Sequence, residues 1–534
     1  MRRSLDFTSP YASARAPVMG RNVVATSQPL AAQAGLRMLL KGGNAVDAAL
    51  AAAMTLTVVE PSGNGLGSDA FAIVRDGTDL HGLNASGRSP AGWTPERFAG
   101  ARAMPERGWE SVTVPGAVSA WTALSRRFGK LPFAVLAEPA IEYASNGFAV
   151  SPVIATLWEK AAVLLASQPG FAEAYLPGGR APRVGEVFRN EPLAESLAAI
   201  ADTEGAAFYH GALAERIAAH AAAHGAALSL EDLAAHQADW CGTISHGFAG
   251  CAVHEIPPNS QGIATLIALG ILEAVGVSDA PVDSTETIHF AIEAMKLALV
   301  DSTRFVADPA TMDVSPAAML DTAYLTSRAA LIDRNRAGDP GHGAPKPGGT
   351  VYLAAADERG MMVSFIQSNY MGFGSGVVVP GTGISMQNRG AGFTLAAGHP
   401  NQVGPRKRPF HTIIPGFVMD RAGAPLMAFG VMGGLMQAQG HVQMALRVLR
   451  YGQHPQAAAD APRWRVLEGR RVLVEAAMPA ETISGLAELG HDIVIEPPSI
   501  GIFGFGGAQL IMRGEEGTYV AGSDPRKDGQ AVAF

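Results

Sequence analysis

Apolar positions recur at helical spacing through the first two thirds of the chain and alternate in the last third, with the change near residue 335. Ser27 to Leu40 predicts a helix, with Ser27 as N-cap, Pro29 in the first turn and Gly42-Gly43 ending it. Asn44 caps a second helix to about Val59, whose small apolar residues on every face predict complete burial. A Gly-rich turn from Ser62 to Asp69 leads into a strand at Ala70 to Val74. From about Glu106 to Val300 the pattern is mainly helical: Pro192 to Asp202, Ala212 to His224, Gly262 to Val275 and Thr285 to Phe305, with Ser229 capping a further short start. Arg334 to Gly349, holding Gly338, Pro340, Gly341, Gly343, Pro345, Pro347, Gly348 and Gly349, reads as an exposed flexible linker. Beyond it, Val351 to Ala355 and Met361 to Gln367 form one predicted hairpin, and Gly416 to Met419 with Leu426 to Phe429 another. Helices at Gln437 to Tyr451 and Glu481 to Leu489, and strands at Val472 to Glu475, Ile493 to Ile495, Ala508 to Met512 and Thr518 to Ala521, complete a layered mixture of sheet and helix.

Length alone suggests three or four domains in 534 residues, although large α/β enzymes are also built around one continuous core. With 48% apolar and 16% charged residues this is the composition of a compact enzyme. A net charge of −8 without any tract rich in Lys and Arg argues against nucleic acid as a partner. The basic start Met1-Arg2-Arg3 lacks the apolar run of a signal peptide, and Ala45 to Val59 is too short to cross a bilayer, so a soluble, cytoplasmic protein is expected, without membrane contact. Cys241 and Cys251 lack metal or redox spacing and read as two reduced, buried thiols; no histidine pattern predicts a metal.

The chemistry concentrates at Gly348-Gly349-Thr350, where a flexible segment delivers a Thr hydroxyl to the start of a strand. A Thr hydroxyl needs an adjacent base to act as a nucleophile. Breaking the Gly349–Thr350 bond supplies one, because an α-amine titrates at about 7.7–8.0 whereas the amide nitrogen has no useful basicity. On its own a Gly-Gly-Thr is far more often a loop end. A Ser-His-Asp hydrolase ranks lower because the G-x-S-x-G elbow is missing, and the Gly-rich stretches 372–376 and 501–507 match neither nucleotide fingerprint.

The surroundings raise the odds. Gly42 to Ala49, Glu60-Pro61 with its Gly-rich turn, Gly205 to His210, Ile256 to Gly262, Glu293-Ala294-Met295-Lys296 with Asp301 and Arg304, and Gly522 to Arg526 are landmarks spread over nearly the whole chain. After Thr350 they continue with Asp357, Gly360, Phe373, Gly374, Gly376, Gly383, Ile384, Asn388 and Phe393. Together these residues resemble the γ-glutamyltransferase family. The resemblance implies an α+β fold, the four-layer αββα sandwich of N-terminal-nucleophile hydrolases, built as one integrated domain from a self-cleaved precursor. Residues 1–349 would be the large subunit and 350–534 the small one, acting on a small amide without a cofactor; pairing of two such heterodimers is left open. It also implies that Thr350 is both cleavage residue and nucleophile, that Ser368 stands where the family has a second Thr bonded to it, and that Gly433-Gly434 supply oxyanion donors.

The pocket departs from the family pattern. The Asp that pairs a γ-glutamyl ammonium aligns with Gly392, its neighbouring Gln with Arg389, an upstream Asn with Tyr370, and the Ser-Ser pair with His411-Thr412. The Arg element is shifted, leaving Arg88 within Ser86 to Pro90. A lost carboxylate and a gained Arg favour an amide that bears a carboxylate but no α-amine, anchored by Arg389, His411, Thr412 and Arg88. Restoring Asp at Gly392 is expected to move preference toward γ-glutamyl compounds. Asn22 to Ala32 and Ser86 to Pro90 resemble the oxamate amidohydrolase-like branch. A glutathione hydrolase or transpeptidase, a glutaryl or cephalosporin acylase, and an uncleaved non-catalytic homologue are the alternatives.

Overall fold

The computed structural model describes residues 15–276, 280–340, 349–496 and 504–534. Two seven-stranded sheets lie face to face between layers of helices. The first runs, in spatial order, Gln530–Ala533, Val23–Thr26, Gly349–Ala356, Met362–Tyr370, Asp69–Asp76, Asp79–Asn84 and Asp239–Trp240. The second runs Val18–Gly20, Tyr519–Ser523, Gly507–Arg513, Pro425–Met432, Gly416–Met419, Cys251–Glu255 and Ile244–Phe248. Both sheets therefore contain strands from before and after Thr350.

The period-two alternation of a strand sorts side chains into three cores. Along Gly349–Ala356, Val351, Leu353 and Ala355 join the core under the helices Pro29–Leu40 and Ala45–Val59. Tyr352, Ala354 and Ala356 point the other way, meeting Phe417, Ala428, Ile511 and Tyr519 of the second sheet. That sheet's outer face, through Val418, Met427, Phe429 and Leu510, packs on Gly262–Val275, Thr285–Phe305 and Met436–Ala445. The layers are thus helix, sheet, sheet, helix, the α+β sandwich of N-terminal-nucleophile hydrolases.

The second helix is buried at every residue, and Asn44 and Asp47 form a reciprocal capping box at its start. Asp357, in the hairpin turn after Thr350, accepts the Ala45 N–H at 2.9 Å, tying that turn to the helix. Several expectations need correction. The stretch 106–300 is interrupted by the hairpin Ile244–Phe248 and Cys251–Glu255, whose polar exposed face hides the strand signal among long helices. Met436–Ala445 ends in a π-turn over Leu446–Arg450 rather than running on as α-helix. Cys241 is exposed and Cys251 half-buried; both are free thiols. The start of the expected linker is anchored rather than loose. Ala337 is buried and its N–H donates to Leu489 O at 2.7 Å, while Gly338 N–H donates to Glu293 Oε2 at 3.1 Å. Residues 341–348 of that linker lie outside the described residues.

Candidate functional site

Thr350 is the second residue of its strand and sits at a register shift between Gly349 and Val351 against the neighbouring strand. The shift breaks the flat ladder there and turns a 3% exposed side chain toward its neighbours. Thr350 Oγ1 lies 3.1 Å from Ser368 Oγ, and Ser368 Oγ accepts the Tyr370 N–H at 2.8 Å. The Gly-rich turn packs on this strand. A Cβ at Gly63 would stand 2.8 Å from Val351 Cγ1, and one at Gly67 2.3 Å from Ser385 O, so neither position admits a larger residue without displacement. The Gly63 carbonyl accepts the Asn369 N–H at 3.0 Å, which fixes the strand end carrying Ser368.

Gly433 and Gly434 follow the strand Pro425–Met432 with φ of 124° and 63°, conformations that a side chain disfavours. Their carbonyls accept the N–H groups of Met436 and Gln437, and Gln261 Nε2 also donates to Gly434 O at 2.9 Å. In a trans peptide the N–H points opposite to the C=O, so these bonds direct the Gly434 and Leu435 N–H groups the other way.

Arg389 is fully buried. Its Nη1 donates to Thr412 Oγ1 at 2.8 Å, and its guanidinium carbon lies 4.3 Å from the centre of the Tyr370 ring, a cation–π arrangement. Arg389 Nε stands 4.0 Å from Asp69 Oδ2, and Nε and Nη2 have no hydrogen-bond partner among the described residues. Burial lowers the Arg389 pKa to about 10, so it remains charged at neutral pH. Burial also pushes the Asp69 carboxyl up to about 7, against the opposing pull of Arg389. Asp69 Oδ1 accepts the Gly87 N–H at 3.1 Å and Oδ2 lies 3.1 Å from His411 Nε2. His411 is held well below its ordinary pKa, by burial first and then by Arg389 and Arg408.

The structure thus gathers Thr350, Ser368, Tyr370, Arg389 and Thr412, but it directs His411 inward onto Asp69 instead of toward a ligand. Arg88 is not part of this group: half-exposed, it is held by Asp308 Oδ2 at 3.0 Å and Arg406 O at 3.2 Å in a separate recess. Gly392 lines a cleft of about 690 Å³ together with Tyr370, Leu435, Met104, Phe393 and Phe410. A Cβ at Gly392 would stand 2.6 Å from Phe410 O, so the missing carboxylate at this position is also a packing requirement. Asn401 holds the two backbones at that approach, donating to Gly392 O at 2.7 Å and accepting Phe410 N–H at 2.9 Å.

Two residues of this cluster escape a reading of the sequence for chemistry. Asp69 stands inside the Gly-rich turn, and only its strand register opposite Ser368 brings it to the site. Gln437, fully buried, donates Nε2–H to Thr350 Oγ1 at 3.2 Å; a Gln three residues after a Gly pair was the available signal. Among the described residues, His289, Glu293 and His491 have possible metal-ligand atoms within 4.8 Å of one another. There the Lys296 ammonium, 2.7 Å from Glu293 Oε1, already supplies the positive charge. His289 Nε2 lies 2.8 Å from Asp333 O and its Nδ1 2.8 Å from His491 Nε2, so both ring nitrogens of His289 are already engaged.

No helix among the described residues is long and apolar enough to cross a membrane. Residues 31–534 match the family model for gamma-glutamyltranspeptidase. The chain is 39% identical over 534 residues to the glutathione hydrolase-like YwrD proenzyme of Bacillus subtilis (strain 168), covering 97% of this chain and 100% of that protein. It is 37% identical to the oxamate amidohydrolase proenzyme of Klebsiella pneumoniae, covering 95% and 97%. The crystal structure of cephalosporin acylase from Bacillus halodurans superposes with a TM-score of 0.95 at 46% identity, covering 99% of each chain. Sequence match, fold and relatives agree: the chain is an enzyme belonging to the gamma-glutamyltranspeptidase family.

Proposed function

We propose that the chain is a precursor that cuts its own Gly349–Thr350 bond and then hydrolyses a carboxylate-bearing amide through an acyl-Thr350 ester. The Thr350 hydroxyl attacks the amide carbon while the freed α-amine takes its proton, and the resulting oxyanion faces the Gly434 and Leu435 N–H groups. Collapse breaks the C–N bond, and the ammonium returns the proton to the departing amine. Water, deprotonated by the same α-amine, then attacks the ester and releases the acid and the Thr350 hydroxyl.

The observation that carries the substrate assignment is Arg389, a buried cation beneath the ring of Tyr370 whose Nε and Nη2 have no partner among the described residues. Buried guanidinium N–H groups left without hydrogen bonds are costly, and a carboxylate matches a guanidinium fork with two parallel bonds. The carboxylate nearest Arg389, Asp69, is not free for an α-ammonium, because both its oxygens are engaged, by Gly87 N–H and His411. An acyl group with a terminal carboxylate and no α-amine, of the kind named for the oxamate-cleaving relative, suits this pocket better than a γ-glutamyl group. Hydrolysis of oxamate, a glutaryl amide, glutathione and a γ-glutamyl anilide tests the reading; faster turnover of the two γ-glutamyl compounds would overturn it.

The cleft supports a refinement in the direction of an acylase. Its volume of about 690 Å³ and its lining by Met104, Leu299, Phe393, Leu395, Phe410 and Leu435 suit a drug-sized apolar group. A small acidic acyl group on Arg389 and a bulky amine half in this cleft use both features.

A further inference from the structure

We propose that Gln437 is a further member of the reacting site, an amide N–H donor that holds the Thr350 hydroxyl oxygen and stabilises the negative charge it gathers. The inference rests on the reading of Thr350 as nucleophile. The orientation of the Gln437 amide is set by its other end. Oε1 accepts the Ile414 N–H at 3.0 Å, and a backbone N–H can only donate, so the oxygen must face Ile414 and the NH2 must face Thr350. The 3.2 Å contact is therefore a bond donated by Gln437 to Oγ1. The hydroxyl oxygen is then an acceptor on that side, and its own proton remains for Ser368 Oγ or the α-amine. The donor is fully buried, at the start of a helix buried along its whole length, so its position is fixed before any substrate arrives.

The position matters in both halves of the reaction. During attack, Oγ1 gives its proton to the α-amine as its bond to carbon forms, and it carries partial negative charge in between. During hydrolysis of the ester, the C–Oγ1 bond breaks, the electron pair returns to Oγ1, and the ammonium protonates it. A preorganised N–H donor at that oxygen lowers both barriers without touching the ground-state amide, so its loss should appear in kcat and not in KM.

Gln437→Glu tests this. The carboxylate keeps an acceptor for Ile414 N–H but opposes charge on Oγ1, whereas the protonated carboxyl restores a donor of the same shape. Relative to wild type, and normalised to the cleaved fraction, Q437E should lose about 100-fold in kcat at pH 8, with KM within about threefold. The kcat ratio of variant to wild type should then rise as pH falls toward 6. The Thr350 amine, Asp69, His411 and the His441–Glu255 pair one turn along the helix are common to both proteins, so the ratio reports the new carboxyl. A merely structural role would give a flat ratio, and a flat ratio or an unchanged kcat overturns the proposal. Gln437→Met, which keeps the volume and can never donate, should show the same loss at every pH; wild-type kcat in Q437M overturns the proposal even if Q437E misfolds. Undiminished hydrolysis by Thr350→Ala would instead remove the nucleophile reading, and so separates the two failures.

Discussion

Replacing Arg389 by Met removes the guanidinium and keeps most of the side-chain volume, so it isolates the charge. In the structure the change deletes the 2.8 Å bond to Thr412 and the cation over Tyr370. It also removes the main influence holding the Asp69 pKa down, so Asp69 takes a proton at neutral pH rather than standing as an orphaned anion. For a substrate carboxylate seated on Nε and Nη2, truncating one side of a buried, hydrogen-bonded charge pair costs about 2–5 kcal/mol. At about 1.4 kcal/mol per tenfold change, that is a loss between roughly 30-fold and several thousand-fold in kcat/KM. The informative assay compares an amide bearing a free carboxylate with its methyl ester, in both proteins. Wild type should prefer the acid by at least about 30-fold, and R389M should show the two within about threefold of each other. Damage to the fold lowers both substrates together and leaves their ratio alone. If the ratio survives the substitution, Arg389 does not bind the carboxylate and the pocket assignment fails.

Four other outcomes follow from the structure. Wild-type protein should run on a denaturing gel as fragments 1–349 and 350–534, whereas Thr350→Ala stays whole; an intact but active wild type would refute the nucleophile. Gly392→Asp should lower stability by about 1–3 kcal/mol, because its Cβ meets Phe410 O at 2.6 Å, and any gain in γ-glutamyl turnover should therefore be small; thermal melts and kcat/KM check both parts. Asp69 has a folded pKa of about 7, above its unfolded value, so its stabilising contribution is present below pH 3.8 and lost as pH rises through 7. Urea titration in the uncut Thr350→Ala background should show Asp69-containing protein losing stability relative to Asp69→Asn between pH 5 and pH 8. His491, lowered to about 3, works in the opposite sense, its contribution being present above pH 6.5 and lost as pH falls toward 3, so His491→Asn should flatten the acid limb.

The parts of the fold that the sequence reveals are those whose local signals agree with the tertiary answer. Asn44 and Asp47 cap the buried helix in the chain's own order, and the hairpin after Thr350 follows from alternation plus one turn. The short strands Asp79–Asn84 and Gln530–Ala533 carry weak patterns, because register with distant partners rather than local sequence decides them. The site divides in the same way. Thr350 and Ser368 are eighteen residues apart on paired strands, a spacing that one hairpin explains. Arg88 illustrates the limit: an Arg near the expected position proves to be held by Asp308, a partner 220 residues away that no local pattern foretells. His411 likewise keeps its ring for Asp69, and Gln437 reaches Thr350 from a helix packed on the other sheet.

The interleaving of strands fixes an order of events. The strand that begins at Gly349 lies between Val23–Thr26 and Met362–Tyr370, one from each side of the proposed cut, while Gln437 approaches Thr350 from a helix on the far layer. Ser368 and Gln437 flank the hydroxyl only after both sheets have closed, so an unfolded or half-folded chain has no scissors to use. In the proposed scheme the cut is consequently a receipt for completed folding. It is also a one-way gate: two fragments that became neighbours as a single chain would have to find each other as a bimolecular pair, and heating the mature enzyme should erase a state that only a new precursor can rebuild.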